Sequence, residues 1–274
     1  MINISDTSVR YYETLPSDAI SPELEPIIAE LGLHENCKQL AEEGWTVLEN
    51  AASKDFNDQL RKTIIQVTEG QGGFMLLSKD PVFAEAVLNR SLLAMAEFSV
   101  GRGFLLSQAA ATVRKKDDPG ITLHADHNWV PAPFPNHNML LTACWACDGY
   151  TQDGGATLIV PGSNRLRRHP NESEISEIKE AIPIECPPGA IALWDGNLWH
   201  ANYPRSLDGE RVVCHITYTR LMCRPVEDYS QCADNLIKEH GILMSQLLGR
   251  EDMLFKQDGA DLSKLVSTFN NAKR

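Results

Sequence analysis

The sequence predicts a mainly β protein, a jelly roll buttressed by helices on both sides of it in the chain. Three observations carry this. From residue 104 to 220 the chain breaks into short β-type runs: 104–114, 121–127, 138–147, 155–160, 181–186, 189–195, 198–203 and 211–220. Pro-Gly pairs at Pro119-Gly120, Pro161-Gly162 and Pro188-Gly189 punctuate those runs. The residues on either side carry helical spacing instead.

Taken in order, residues 17–43 read as helical, with Ser21 as N-cap ahead of Pro22-Glu23-Leu24-Glu25. Gly44 to Glu49 reads as a strand. Ser53 opens a helix running to about Glu69, and another covers 81–100. Beyond Pro225, helical spacing returns over 229–248, with Leu236, Ile237, His240, Met244 and Leu247 on related faces. No internal repeat or boundary interrupts this order. The expectation is one domain over 1–274, with 1–100 mostly helical support, 101–222 the jelly-roll core and 223–274 a C-terminal helical segment.

A chain of 274 residues with 43% hydrophobic content can bury one substantial core. Its formal net charge of -12 repels nucleic acid and anionic membrane, so neither is expected as a partner. The seven cysteines are odd in number and dispersed, unlike a disulfide framework. The first residues do not pattern as a secretory leader, and no apolar run approaches the ~20 residues of a membrane span. A cytoplasmic protein with reduced thiols is expected. Oligomeric state is not legible, and a homodimer stays open.

His124-Ala125-Asp126 lies in the run 121–127. Read as a strand, it puts His124 and Asp126 on one face, with Thr122 beside them. A third ligand is His200, in Leu198-Trp199-His200-Ala201-Asn202 after a turn at Asp195-Gly196-Asn197. Two histidines and one carboxylate make the facial triad of non-haem iron(II) oxygenases, whose open positions accept a 2-oxo acid and dioxygen. His-x-Asp alone is a weak signal, since most such tripeptides are surface polar pairs. Arg211, at the start of another strand, strengthens it: a guanidinium fork suits the distal carboxylate of 2-oxoglutarate.

These residues resemble the phytanoyl-CoA dioxygenase-like family of iron(II)/2-oxoglutarate oxygenases. The matching pieces are His124-Ala125-Asp126, the run Asp148 to Thr157, Pro161-Gly162-Ser163-Asn164, the run Pro188 to Trp194, His200-Ala201-Asn202 and Arg211. They stand in the family's order over about residues 44–222. The resemblance implies a cupin-like double-stranded β-helix, iron(II), 2-oxoglutarate and dioxygen. It implies His124, Asp126 and His200 as the metal-binding and catalytic set, and Arg211 and Thr157 as co-substrate contacts. Asn202 shares a face with His200 and is expected to assist them. The implied reaction oxidises an unactivated C–H bond of a small molecule, hydroxylation first, giving succinate and carbon dioxide. The carboxylate at Asp126 sets the chain apart from the halogenases of the superfamily, which have a small residue there. Three departures stand out: Asn164 replaces a usual histidine, Cys144 stands where a tryptophan is usual, and Ile121 takes the place of a co-substrate glutamine.

Other candidates weigh less. Cys144 and Cys147 face opposite sides of a strand, which rules out a shared metal. His127 should face away from His124, and His137 reads as solvated loop. His215 alternates with Arg211 and Val213, so it reads as a core histidine facing the interior. Arg165, Arg167, Arg168 and His169 form a basic cluster, more often a solvated face than an anion site. The loop Asn128–Asn136 follows the ligands directly, so Trp129 and Phe134 are expected to touch substrate, with the helix at 229–248 as a lid. Two further classes stay open: a cupin-like metal enzyme (an isomerase or hydrolase) without 2-oxoglutarate, and a non-catalytic small-molecule binding protein on the same scaffold.

Overall fold

Alternating side chains give each strand two different faces, and in the computed structural model, which describes residues 19–250, they sort into three packed layers. One antiparallel sheet has five strands in the order β1-β6-β3-β8-β2: β1 (Trp45–Leu48), β6 (Ile191–Asp195), β3 (Leu140–Ala146), β8 (Arg211–Thr219) and β2 (Leu105–Arg114). The second has three strands, β5 (Ile182–Pro183), β4 (Thr157–Ile159) and β7 (His200–Asn202), in the order β5-β4-β7. Along β8, Val212, Cys214, Ile216 and Tyr218 join the core beneath the helices, while Val213 packs between the sheets. Ala192 and Trp194 of β6, Cys144 and Ala146 of β3, and Ile159 of β4 meet Val213 there. Leu158, Trp199 and Ala201 pack on the far side of the small sheet with Phe134. This is the expected jelly roll, the cupin-like double-stranded β-helix.

The helices cover the outer face of the large sheet. They are α1 (Glu25–Leu31), α2 (His34–Glu43), α3 (Lys54–Thr68), α4 (Pro81–Val87) and α5 (Arg90–Val100). Ser53 caps α3 by accepting from the Phe56 amide, and Leu60 and Ile64, one turn apart, are fully buried. The expected helix over 17–43 is two, because Gly32 adopts the left-handed conformation that ends α1. The expected helix over 81–100 is also two, because Asn89 turns out of the helix and caps α5 through its side chain.

Two further expectations fail. The run 121–127 is not a strand: only His124 bridges to a neighbour, His200. The C-terminal helix expected over 229–248 is two short pieces, α6 (Ala233–His240) and α7 (Ile242–Leu247), separated at Gly241. It is no lid. Leu236, Met244 and Leu247 pack into the core beneath the large sheet, and none of its residues lines the metal-side cavity. The expected segments 1–100 and 223–274 extend past the described residues at 1–18 and 251–274. Among the described residues no helix is long and apolar enough to cross a membrane.

Candidate metal centre and co-substrate pocket

His124 and His200 face each other across a single antiparallel bridge, each backbone N–H donating to the other's carbonyl at 2.9 and 2.8 Å. That bridge sets the two imidazoles side by side, with ring centroids 4.3 Å apart. His124 Nδ1 lies 2.8 Å from the Thr122 carbonyl, and His200 Nδ1 lies 3.0 Å from that of Leu198. A carbonyl only accepts, so Nδ1 carries the proton and Nε2 keeps its lone pair. Both Nε2 atoms point at Asp126 Oδ1, at 3.7 Å from His124 and 3.5 Å from His200. The other carboxylate oxygen, Oδ2, accepts from Thr142 Oγ1 at 2.8 Å and Trp194 Nε1 at 3.2 Å.

The three donor atoms lie within 4.8 Å of one another. A first-row ion bonded at about 2.1 Å spaces its donors roughly 3.0–3.4 Å apart. The two His–Asp separations of 3.7 and 3.5 Å already lie close to that spacing, so this donor set fits such an ion once the side chains draw together. Burial works to raise the Asp126 carboxyl, but the imidazoles of His200 and His124 and the two hydrogen bonds outweigh it. Its pKa stands below the ordinary carboxylate value. Burial lowers His200, against the pull of Asp126, which favours the neutral ring a metal requires.

A cavity of about 320 Å3 opens beside these donors. Thr157 and Asn202 line it, as do Gln108, Thr142, His215 and Thr217 on the inner face of the large sheet. Arg211 lies one layer deeper. It is fully buried, with its guanidinium 4.7 Å over the Tyr150 ring and Nη1 donating to the Gly155 carbonyl at 2.8 Å. Among the described residues its Nε has no partner and no carboxylate pairs with it. Tyr150 connects it to the cavity, since its hydroxyl lies 2.7 Å from Thr157 Oγ1. Asn202 Nδ2 donates to Thr157 Oγ1 at 3.4 Å. Asp148 braces the start of β8, taking the Val212 amide on one oxygen and Arg61 on the other.

The structure thus gathers His124, Asp126, His200, Thr157, Asn202 and Arg211 around one region. It separates the two loop aromatics. Trp129 lines the cavity and is 87% exposed. Phe134 is fully buried, edge-on to His127 and His169, and does not line the cavity. Its expected substrate contact is corrected: the loop folds back there because Phe134 and Arg167 exchange backbone-directed hydrogen bonds. His127 is held by Asn197, away from the donors. In the basic cluster, Arg168 pairs with Glu174 and stacks on Trp199. Cys144 and Cys147 fall in different core layers.

Sequence reasoning missed Thr142 and Trp194, which orient Asp126, and the pocket residues Gln108 and Thr217. It also missed Arg114, the register partner of Arg211, which donates to Asn202 Oδ1 at 3.0 Å and to Asp118 at 2.6 Å. Alternation from Arg211 was the available signal for Thr217. None existed for the others, whose positions depend on pairing between strands.

Comparison with known proteins bears on this geometry. The model of the family described as phytanoyl-CoA dioxygenase (PhyH) matches residues 35–212, well over half of the chain. An uncharacterised protein of Mycobacterium bovis, Mb1539, is 26% identical over 165 residues, 60% of this chain and 58% of its own length. Dioxygenase af480 of Aspergillus fumigatus is 26% identical over 159 residues, 57% of this chain and 51% of its own length. The chain thus spans little more than half the length of these relatives. Among solved structures, HygX from Streptomyces hygroscopicus with nickel and 2-oxoglutarate bound superposes with a TM-score of 0.59 at 16% identity, covering 76% of this chain and 89% of that one. EctD from S. alaskensis with bound iron gives 0.61 at 18% identity, covering 70% and 79%. At these identities the two structures show a shared fold.

Proposed function

The chain belongs to the phytanoyl-CoA dioxygenase family, and we propose on that footing that it is an iron(II)- and 2-oxoglutarate-dependent dioxygenase acting on a C–H bond of a small molecule. The observation that carries the proposal is the pairing of two features in one interior. Two Nε2 atoms and one carboxylate oxygen converge, and Arg211 waits nearby without a counter-ion among the described residues.

His124, Asp126 and His200 would hold iron(II), leaving the cavity side open. Iron(II) with 2-oxoglutarate and dioxygen supplies the oxidising chemistry, in which the co-substrate leaves as succinate and carbon dioxide while the substrate gains an oxygen atom. Arg211 anchors the distal carboxylate, replacing a buried unpaired cation with a charge-assisted pair. Thr157 and Asn202 border the path to it and donate hydrogen bonds. Thr142 and Trp194 hold the Asp126 carboxylate with Oδ1 inward. Trp129 stands exposed at the mouth, where a bound substrate would meet it. A metal enzyme without a 2-oxo acid would leave Arg211 buried with no ion to pair.

The test is anaerobic addition of iron(II) and then 2-oxoglutarate, watching for the weak visible charge-transfer band of the chelate. His124→Ala and His200→Ala should each lose bound iron and the band. Full iron occupancy and normal turnover in both variants would sink the triad.

A further inference from the structure

The mouth of the cavity carries information about the substrate that the donors beneath it do not. The ten covalently bonded heavy atoms of 2-oxoglutarate take up part of the 320 Å3 cavity and leave room inside for only part of a substrate. On the reading proposed above, on which this inference rests, the co-substrate takes the part of this space between the donors and Arg211, and a substrate in the remainder meets the mouth. The substrate is therefore recognised at the rim.

Four exposed residues form that rim, the apolar Trp129, Ile121 and Val226 and the polar Asn128. Trp129 is 87% exposed, Ile121 52% and Val226 61%. They come from two segments that the fold pins in place. The Val226 and Glu227 amides donate to Ser107 of β2, at the bulge between Leu106 and Gln108. Glu227 then accepts the Met75 and Ala109 amides and the Tyr229 hydroxyl. Ile121 is held by the Asn202 amide, which donates to its carbonyl. An indole left this exposed gains from being covered, and the neighbours available to cover it are hydrocarbon.

Charge points the same way. The lining carries one carboxylate, Asp126, and no lysine or arginine. The chain as a whole carries -12, so an anion meets repulsion on approach and no cation at the mouth. Among the described residues, the Gln108 carboxamide lines the cavity with no hydrogen-bond partner, as do the side chains of Asn128 and Thr217. We propose that the substrate is an uncharged, hydrocarbon-rich molecule seated on Trp129, Ile121 and Val226, with a hydroxyl or carbonyl reaching Gln108. Carboxylic acids and coenzyme A thioesters are disfavoured.

The experiment uses the full chain loaded anaerobically with iron(II) and 2-oxoglutarate. Formation of the chelate band tests the activity proposed above, before any substrate question arises. Three probes on one fused-ring hydrocarbon skeleton are then titrated: the alcohol, the carboxylic acid and the coenzyme A thioester. The alcohol should shift the band at concentrations at least 10-fold lower than the other two. Trp129→Ala should form the same chelate but need roughly 10- to 100-fold more alcohol, and Trp129→Phe should recover most of the loss. A chelate that forms but responds to the acid or thioester as well as to the alcohol overturns the inference. So does a chelate that ignores the alcohol, or a Trp129→Ala variant that binds it normally. A missing chelate refutes the activity instead.

Discussion

Replacing Thr142 with valine keeps the side chain's shape and removes the shorter of two hydrogen bonds to Asp126 Oδ2, at 2.8 Å against 3.2 Å from Trp194. A hydrogen bond to a charged group contributes about 1.5–3 kcal/mol. Lost orienting bonds around metal ligands typically cost ~10- to 100-fold in affinity. Trp194 still holds the carboxylate, so we expect iron(II) binding to weaken by about 10- to 30-fold, inside that range. Thr217 supplies the control. It sits directly opposite Thr142 in the β3–β8 register and lines the same cavity, but makes no bond to Asp126. Thr217→Val should stay within about threefold of the parent protein, and Thr142→Ser should recover most of the loss. Anaerobic iron(II) titration with a competing chelator measures all three, and thermal melts of the metal-free proteins check folding. Normal affinity in Thr142→Val, or equal losses at both positions, would refute the role assigned to this bond.

Three other outcomes follow from the structure. Arg211→Ala should raise the 2-oxoglutarate concentration needed for half-formation of the chelate by about 10- to 150-fold. Iron binding without 2-oxoglutarate should change little, and an unchanged co-substrate affinity would place the anchor elsewhere. His215 is held to about 4 from 6.5 by burial and by the nearby Arg211 and Arg114. It stays neutral in the fold while the unfolded chain takes up a proton near pH 6.5. Stability should therefore fall as pH drops from 6.5 toward 4, by about 2 kcal/mol between pH 7.5 and 5. Urea unfolding of metal-free protein should show that slope reduced in His215→Gln, and an equal slope would remove His215 as its cause. Gly120 sits at φ +85 with its notional Cβ 2.3 Å from the Asn202 carbonyl. Gly120→Ala should cost roughly 2 kcal/mol or more and weaken metal binding, since the loop leads into His124. A melt within 1–2 °C of the parent, on the order of 0.5 kcal/mol, would count against the clash.

The sequence alone determined which side chains share a face within each strand. His200 with Asn202, and Arg211 with His215, follow from a two-residue period that any strand obeys. Ser53 as a cap, and the jelly roll as a class, were legible for the same reason: caps, turns and periods are local. Tertiary structure decided what needs a neighbour. The run 121–127 has strand-like alternation, yet only His124 finds a partner, because a strand exists only where another offers its hydrogen bonds. Trp129 and Phe134 are alike in composition and sit in one loop, but Phe134 is buried by His127 and His169 while Trp129 is left at the mouth. Thr142 and Trp194 reach Asp126, and Arg114 comes to lie opposite Arg211, through strand register. Register is fixed by the whole sheet's packing, so residues far apart in sequence meet only once the interior has closed.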